Sequence, residues 1–369
     1  MSLELLPRSV IGILGDRSSS HYLIQTAHNL GYTVATYTDK TEPITPSEAD
    51  YQFHGADEWA TFVGISSVIT YANTWLTLEM IQKIADLSLP QGINLLEMTD
   101  DHAISRAFLE ASSVNILPYA LATSLEEISI NAHQLGYPVV VKPIFKHGPH
   151  SSRVILRGEY DLGLVAPLID GGTILVESWL DDVTELIVTA VRDAQGEVVI
   201  YPINYRKSVD QLAPVLWSST DQLSADVVEA VNDTVAQIGQ NIASVGAYTV
   251  AFLYSDTGNL YVRDVLAGLD DNTVLYSTTA NISVYENHLR ALVGQALAPV
   301  REVQQAILLP FNSAQIDKIQ NHWHIKPEWR VFYHPGNQSG YVVSSGRSMD
   351  ELWNQLLIAG VWDISTLQP

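Results

Sequence analysis

The chain has 369 residues, 47% hydrophobic and 16% charged, a composition that fits a globular protein and excludes disorder or a fibrous repeat; its length calls for two or three domains. Forty-one acidic residues against 19 basic give a formal net charge of -22, which repels a phosphate backbone and excludes nucleic acid as an expected partner. Cysteine is absent, which excludes disulfides, thiolate nucleophiles and cysteine-based metal sites and fits a cytoplasmic enzyme.

Past Arg8 comes only the short apolar run Val10 to Leu14, and no apolar run reaches about 18 residues, so neither a secretory signal nor a membrane span is expected. The segment from Val10 to Tyr37 reads as strand, turn at Gly15, helix through Tyr22, Leu23, Ala27 and Leu30, then strand from Thr33, a βαβ opening. A strand at Ser67 to Tyr71 and a helix at Thr74 to Ala85 continue it, predicting a small parallel sheet covered by helices. The turn after Gly15 holds Asp16, Arg17 and three serines, which rules out a glycine-dependent dinucleotide fingerprint.

From Asp100 a helix with an acidic cap is predicted, ending before Pro118, and a second with Ser124 as cap and Glu127 three residues on, a capping box. Strands follow at 139 to 142, 153 to 156 and 173 to 180, with a short helix near 160 to 169 between the last two. Residues 184 to 203 form a predicted hairpin across Ala194 to Gly196. The valines and isoleucines of Ser224 to Ala243 recur at helical spacing, and two strands joined at Asp256 to Asn259 come next. After a helix through "SVYENHLRALVG" the chain from about 300 reads as short strands with a turn at Gly336 to Gly340.

Four stretches, "IGILG", "LGYPVVVK", "ILVESWL" with a following "EL", and "SVYENHLRALVG", together resemble the ATP-grasp superfamily and, within it, the carboxyaminoimidazole ribonucleotide synthase family, almost end to end. The resemblance implies an α/β fold of the ATP-grasp type: a Rossmann-like parallel-sheet domain over 1–98, a central domain over 99–298 with a lid at 118–180, and a small β-rich domain over 299–369. It implies ATP-dependent joining of bicarbonate to aminoimidazole ribonucleotide through carboxyphosphate, in purine biosynthesis, by a homodimeric cytoplasmic enzyme. Phosphoryl transfer of this kind is governed by positioning and charge neutralisation.

Residue by residue, the resemblance assigns Lys142 to the α and β phosphates, Glu177 to the adenine amino group, the backbone near Leu180 to the ring edge and Glu185 to the ribose hydroxyls. Taken alone, Lys142 would be a lysine reaching into solvent, Glu177 a solvated acid at a strand end, and Glu185 a member of a structural salt bridge. Arg106 stands where a second phosphate-binding lysine is expected, and a lid loop that is glycine-rich in the family runs here from Lys146 to Ser152 with Pro149 inside it, leaving the phosphates to side chains such as Lys146. Of the family's two magnesium ligands Asp264 matches one, Ala251 replaces the other, and Arg263 takes the place of a neighbouring asparagine, so Mg2+ is in question.

For the ribonucleotide the matching positions are Ser18, Lys326 and Arg330; Gly268, Asp270 and Asp271 replace a basic and amide loop, and Gln338 and Ser339 a basic pair. No catalytic base or nucleophile is assigned, and the histidine pairs 322/324 and 147/150 lack a third ligand for zinc. The departures leave two alternatives beside the carboxylating synthase: a nucleotide-binding or regulatory protein that has lost turnover, and an ATP-grasp ligase with another acceptor.

Overall fold

The structure, a computed structural model, describes residues 4–15, 18–38, 48–72, 76, 78–85, 87, 89–145, 153–169, 171–208, 214–218, 222–334, 338–364 and 367. The first sheet is parallel, with strands β1 (Val10–Leu14), β2 (Thr33–Thr38), β3 (Tyr51–His54) and β4 (Val68–Tyr71) in the order β3-β2-β1-β4. Helices α1 (Ser18–Asn29) and α2 (Gly55–Ile65) connect and cover them. Crossover helices bury a parallel sheet on both faces, and Ile11, Gly12, Ile13 and Leu14 of β1 are all buried. The central glycine of "IGILG" has a steric cause, because a Cβ at Gly12 would come within 2.5 Å of Ser66 Oγ and 2.9 Å of the Phe62 ring on α2.

Helices α3 (Leu78–Ala85), α4 (Asn94–Asp100) and α5 (His102–Ala111) carry the chain out of this sheet. The Asp101 carboxylate caps α5 by accepting from the amides of Ala103 and Ile104. A second sheet of four antiparallel strands follows: β5 (Tyr119–Ala122), β6 (Val139–Pro143), β7 (Val154–Leu156) and β8 (Ile174–Ser178), in the order β5-β8-β6-β7. Helices α6 (Leu125–Leu135) and α7 (Ala166–Ile169) close a separate apolar core on it with Ile128, Val139, Val141 and Val176. The capping box at Ser124 forms with one shift: Ser124 accepts from the Glu127 amide, while the Glu127 carboxylate reaches back to the amide and hydroxyl of Thr123.

The third sheet is the largest. Its strands are β9 (Val183–Arg192), β10 (Val198–Ile200), β11 (Asn204–Lys207), β12 (Val215–Ser218), β13 (Gly246–Ser255), β14 (Leu260–Ala267), β15 (Gln305–Phe311), β16 (Trp329–Tyr333) and β17 (Gly340–Gly346). They run in the order β14-β13-β9-β11-β12-β15-β17-β16, with β10 hairpinned to β9. The strands after residue 299 therefore continue the central sheet, through the pairs Leu216↔Leu308 and Trp217↔Ile307. Strands β11 and β12, which supply that junction, went unread in the sequence.

Helices α8 (Ala225–Asn241), α9 (Tyr276–Thr279), α10 (Val284–Val293), α11 (Ile316–Trp323) and α12 (Met349–Ala359) complete the fold; α12 lays Trp353 edge-on to Trp217. Buried His288 on α10 ties the first sheet to the third. Its Nδ1 accepts from the Ala247 amide at 3.0 Å and its Nε2 lies 2.9 Å from Thr70 Oγ1. Desolvation pulls its pKa down to about 3, so the ring is neutral and Nε2 carries the proton given to Thr70. Among the described residues no helix is long and apolar enough to cross a membrane.

Candidate functional site

Between the second sheet, β5 to β8, and the β9, β13, β14 edge of the large sheet lies a cleft of about 600 Å³, within the usual range for a small-molecule site. Lys142 and Glu177 reach it from neighbouring strands. Val140 of β6 pairs with Glu177 of β8, and Lys142 lies two residues beyond Val140, so the period-two alternation puts Lys142 and Glu177 on one face as diagonal neighbours. The Lys142 ammonium donates to Glu177 Oε2 at 2.9 Å. From α5, Arg106 Nε donates to the other carboxylate oxygen at 2.6 Å, and its Nη1 donates to the backbone carbonyl of Arg263 at 2.9 Å.

This three-member cluster is deeply set, with the Arg106 side chain 1% and the Glu177 side chain 6% exposed. Desolvation alone would raise the Glu177 pKa, but the ammonium of Lys142 and the guanidinium of Arg106 outweigh it and hold the carboxyl below its ordinary value. Lys142 is drawn the other way: burial pulls its ammonium down against the attraction of Glu177.

A second carboxylate is held in the same manner. Glu185 of β9 stands directly across from Arg206 of β11 and is gripped by Arg206 Nη1 and, at 3.0 Å, by Arg263 Nη1. Against desolvation, the two guanidiniums keep the Glu185 carboxyl below its ordinary value. At the cleft mouth Arg157 makes a bidentate pair with Asp181, which also accepts from the Trp179 indole, and Arg153 lies 5.4 Å over the Trp179 ring.

The structure thus gathers Lys142, Glu177, Leu180, Glu185 and Asp264 around one cleft with Arg106 behind it. Lys146 lies outside the described residues, as does the side chain of Ser18, the first residue of α1. Arg330 sits on β16, with Nη1 3.4 Å from Thr278 Oγ1 and close enough for its charge to act on Tyr22, one turn along α1 from Ser18. Lys326 is turned to Glu328 at 3.7 Å. Arg206, Arg153, Trp179 and Asp181 were missed as site residues; Arg206 lies on the unread β11, and no motif marked it. His322 Nδ1 donates to the Lys318 carbonyl and the ring tilts onto Trp329, while His147 and His150 lie outside the described residues.

The residues at the expected magnesium position do not suit the ion. Ala251 stands directly across from Asp264 and offers a methyl group, Arg263 brings a cation into the same place, and among the described residues no group of three or more His, Cys, Asp or Glu is arranged to hold a metal. A hard divalent cation needs about six oxygen ligands.

The ATP-grasp domain family matches residues 107–281. This chain carries an ATP-grasp domain. The cleft lies on that domain, between the second sheet and the large sheet. Over 360 residues the chain is 24% identical to the N5-carboxyaminoimidazole ribonucleotide synthase of Staphylococcus haemolyticus, covering 94% of this chain and 95% of the relative. A crystal structure of an N5-carboxyaminoimidazole ribonucleotide synthetase with ADP superposes with a TM-score of 0.89 at 18% identity, covering 98% and 99% of the two chains. The Aspergillus clavatus synthase, solved with ADP and 5-aminoimidazole ribonucleotide, superposes at 0.81 and 15% identity, covering 96% and 98%. The whole chain therefore has the fold of these synthases, a mixed α/β structure with a parallel first sheet and an ATP-grasp body.

Proposed function

We propose that the protein binds adenine nucleotide in this cleft and carries out the ATP-dependent carboxylation of 5-aminoimidazole ribonucleotide with bicarbonate. The observation that carries the reading is the Lys142, Glu177 and Arg106 cluster at the cleft floor, a matched set of buried charges at the position where the resemblance puts ATP phosphates and adenine. In that reaction a bicarbonate oxygen takes the γ-phosphoryl group and ADP leaves; the amine nitrogen then attacks the carboxyl carbon of carboxyphosphate and inorganic phosphate leaves. Lys142 neutralises phosphate oxygens, Glu185 faces the ribose, and the backbone at Leu180 meets the base. Ser18, Lys326 and Arg330 are proposed for the ribonucleotide, Lys146 for the phosphates, and the assembly is proposed as a cytoplasmic homodimer.

One observation favours a second reading, nucleotide binding without turnover: the position across from Asp264 holds Ala251 where the synthase family has an acid. The two readings separate in one experiment on the full-length chain. Saturating ADP or ATP stabilises the fold under both, by about 2.7 kcal/mol at a hundredfold excess over Kd. Bicarbonate- and ribonucleotide-dependent ADP release appears only under the first. Lys142→Ala removes the nucleotide-induced stabilisation and leaves the chain folded; a mutant that responds to ATP like the parent refutes the phosphate assignment.

A further inference from the structure

Arg263 faces the cleft because strand β14 breaks its register. Along β13 and β14 Ala251 pairs with Asp264 but the next residue, Phe252, pairs with Val262, so Arg263 is the extra residue of a bulge. In an unbroken strand neighbouring residues point to opposite faces; here Arg263 and Asp264 both line the cleft. The bulge is pinned from behind, since the buried guanidinium of Arg106 holds the Arg263 carbonyl at 2.9 Å.

The result is four cations, Arg106, Lys142, Arg206 and Arg263, gathered about three carboxylates, Glu177, Glu185 and Asp264, where a metal acid is missing. Glu185 carries one charge and is shared by two guanidiniums, as Glu177 is shared by Arg106 and Lys142. Desolvation and the neighbouring Arg263 push the Arg206 guanidinium below its ordinary pKa against the attraction of Glu185 and Asp270, so these acids compensate the two guanidiniums only in part. Two guanidiniums carry the same charge as one divalent ion, and their planar donors match phosphate oxygens bidentately.

We infer, resting on the nucleotide reading of the cleft, that Arg263 and Arg206 neutralise the phosphates of the bound nucleotide in place of a divalent cation. Nucleotide binding by this chain is then metal-independent. The bulge supplies the substitution in a single residue: Arg263 enters the cleft beside Asp264, and Ala251 leaves room where a second carboxylate would have drawn an ion.

The test is calorimetric binding of ADP to the full-length chain in EDTA and in millimolar Mg2+, with Arg263→Gln and Arg263→Lys beside it. The affinities of the parent are expected to agree within about threefold in the two buffers. Arg263→Gln is expected to lose about tenfold or more in EDTA, and Arg263→Lys, which keeps the charge but not the planar fork, to lose less. Thermal unfolding of each variant establishes that it is folded. A tenfold or greater loss for the parent on chelation overturns the inference and leaves the nucleotide reading standing. A folded Arg263→Gln that binds like the parent in EDTA also overturns it. Absence of ADP binding in both buffers overturns the nucleotide reading itself.

Discussion

Replacing Glu177 by glutamine tests the charge cluster on which the cleft is built. The substitution keeps the shape but leaves two buried cations, Arg106 at 1% and Lys142 at 15% side-chain exposure, with no anion between them. Removing one partner of a buried pair costs about 3 to 5 kcal/mol, chiefly because the remaining charge stays desolvated. The two survivors differ in how they can respond. Arginine cannot shed its proton in a protein, whereas a lysine already pulled down by burial can. The expected loss for Glu177→Gln is therefore about 3 to 5 kcal/mol near neutral pH, shrinking as the pH is raised and Lys142 deprotonates. Adding Lys142→Met to Glu177→Gln recovers part of it, so the double mutant is less destabilised than the sum of the singles by about 1 kcal/mol or more. Urea unfolding of the four proteins across a pH series gives each quantity. A Glu177→Gln protein within about 1 kcal/mol of the parent, or losses that simply add, refutes the account of a coupled buried cluster.

The pH dependence has a second, opposite contribution. Desolvation, with Asp271 beside it, pushes the Asp270 carboxyl up to about 6 from 3.8. An acid raised in the folded state costs stability that builds up as the pH rises from 3.8 to about 6 and is complete above that, and acidification back through the same window relieves it. The difference corresponds to about 3 kcal/mol at 1.36 kcal/mol per pH unit, so Asp270→Asn is expected to stabilise the fold by up to that amount at pH 8 and hardly at pH 4; denaturant unfolding at both values reads it. Glu177 and Glu185, held low, act in reverse: their contribution is complete above the ordinary glutamate pKa and is lost as the pH falls through their depressed values. In the first sheet, Gly12→Ala places a Cβ 2.5 Å from Ser66 Oγ and should cost about 1 to 3 kcal/mol in the same assay, without altering ADP affinity in calorimetry.

The strands under Lys142 and Glu177 were legible in the sequence because their neighbours declare them, three buried valines before Lys142 and "ILV" before Glu177, whereas singling out these side chains and Glu185 took the family resemblance. The βαβ opening and the caps at Asp101 and Ser124 were legible for the same reason, since a period or a side-chain oxygen at a helix start is local information. Arg206 was illegible because its strand is only four residues long and its role depends on the cross-strand register to Glu185, which no local pattern encodes. The continuity of the large sheet past residue 299 escaped for the same cause, because it rests on pairing between β12 and β15, some ninety residues apart. The bulge at Arg263 lies in between: the residue itself was visible beside Asp264, but its direction is set by the slip of β14 against β13.

The global and local charges of this protein pull in opposite directions. A net charge of -22 repels an anionic nucleotide at long range, yet at physiological ionic strength exposed charges are screened beyond about 8 Å, so the far surface contributes little inside the cleft. Within that distance buried Glu177 and half-buried Glu185 are each shared by two cations, three of the four being arginines. Arginine suits such a place because it stays charged where burial would neutralise a lysine, and Lys142, the one lysine of the four, is drawn toward neutrality by desolvation. A Mg2+ ion beside phosphates is held by one or two carboxylates, and Ala251 removes one of the two expected here. Two cations on each of Glu177 and Glu185, together with Ala251 across from Asp264, form the arrangement from which guanidinium is proposed in place of a metal.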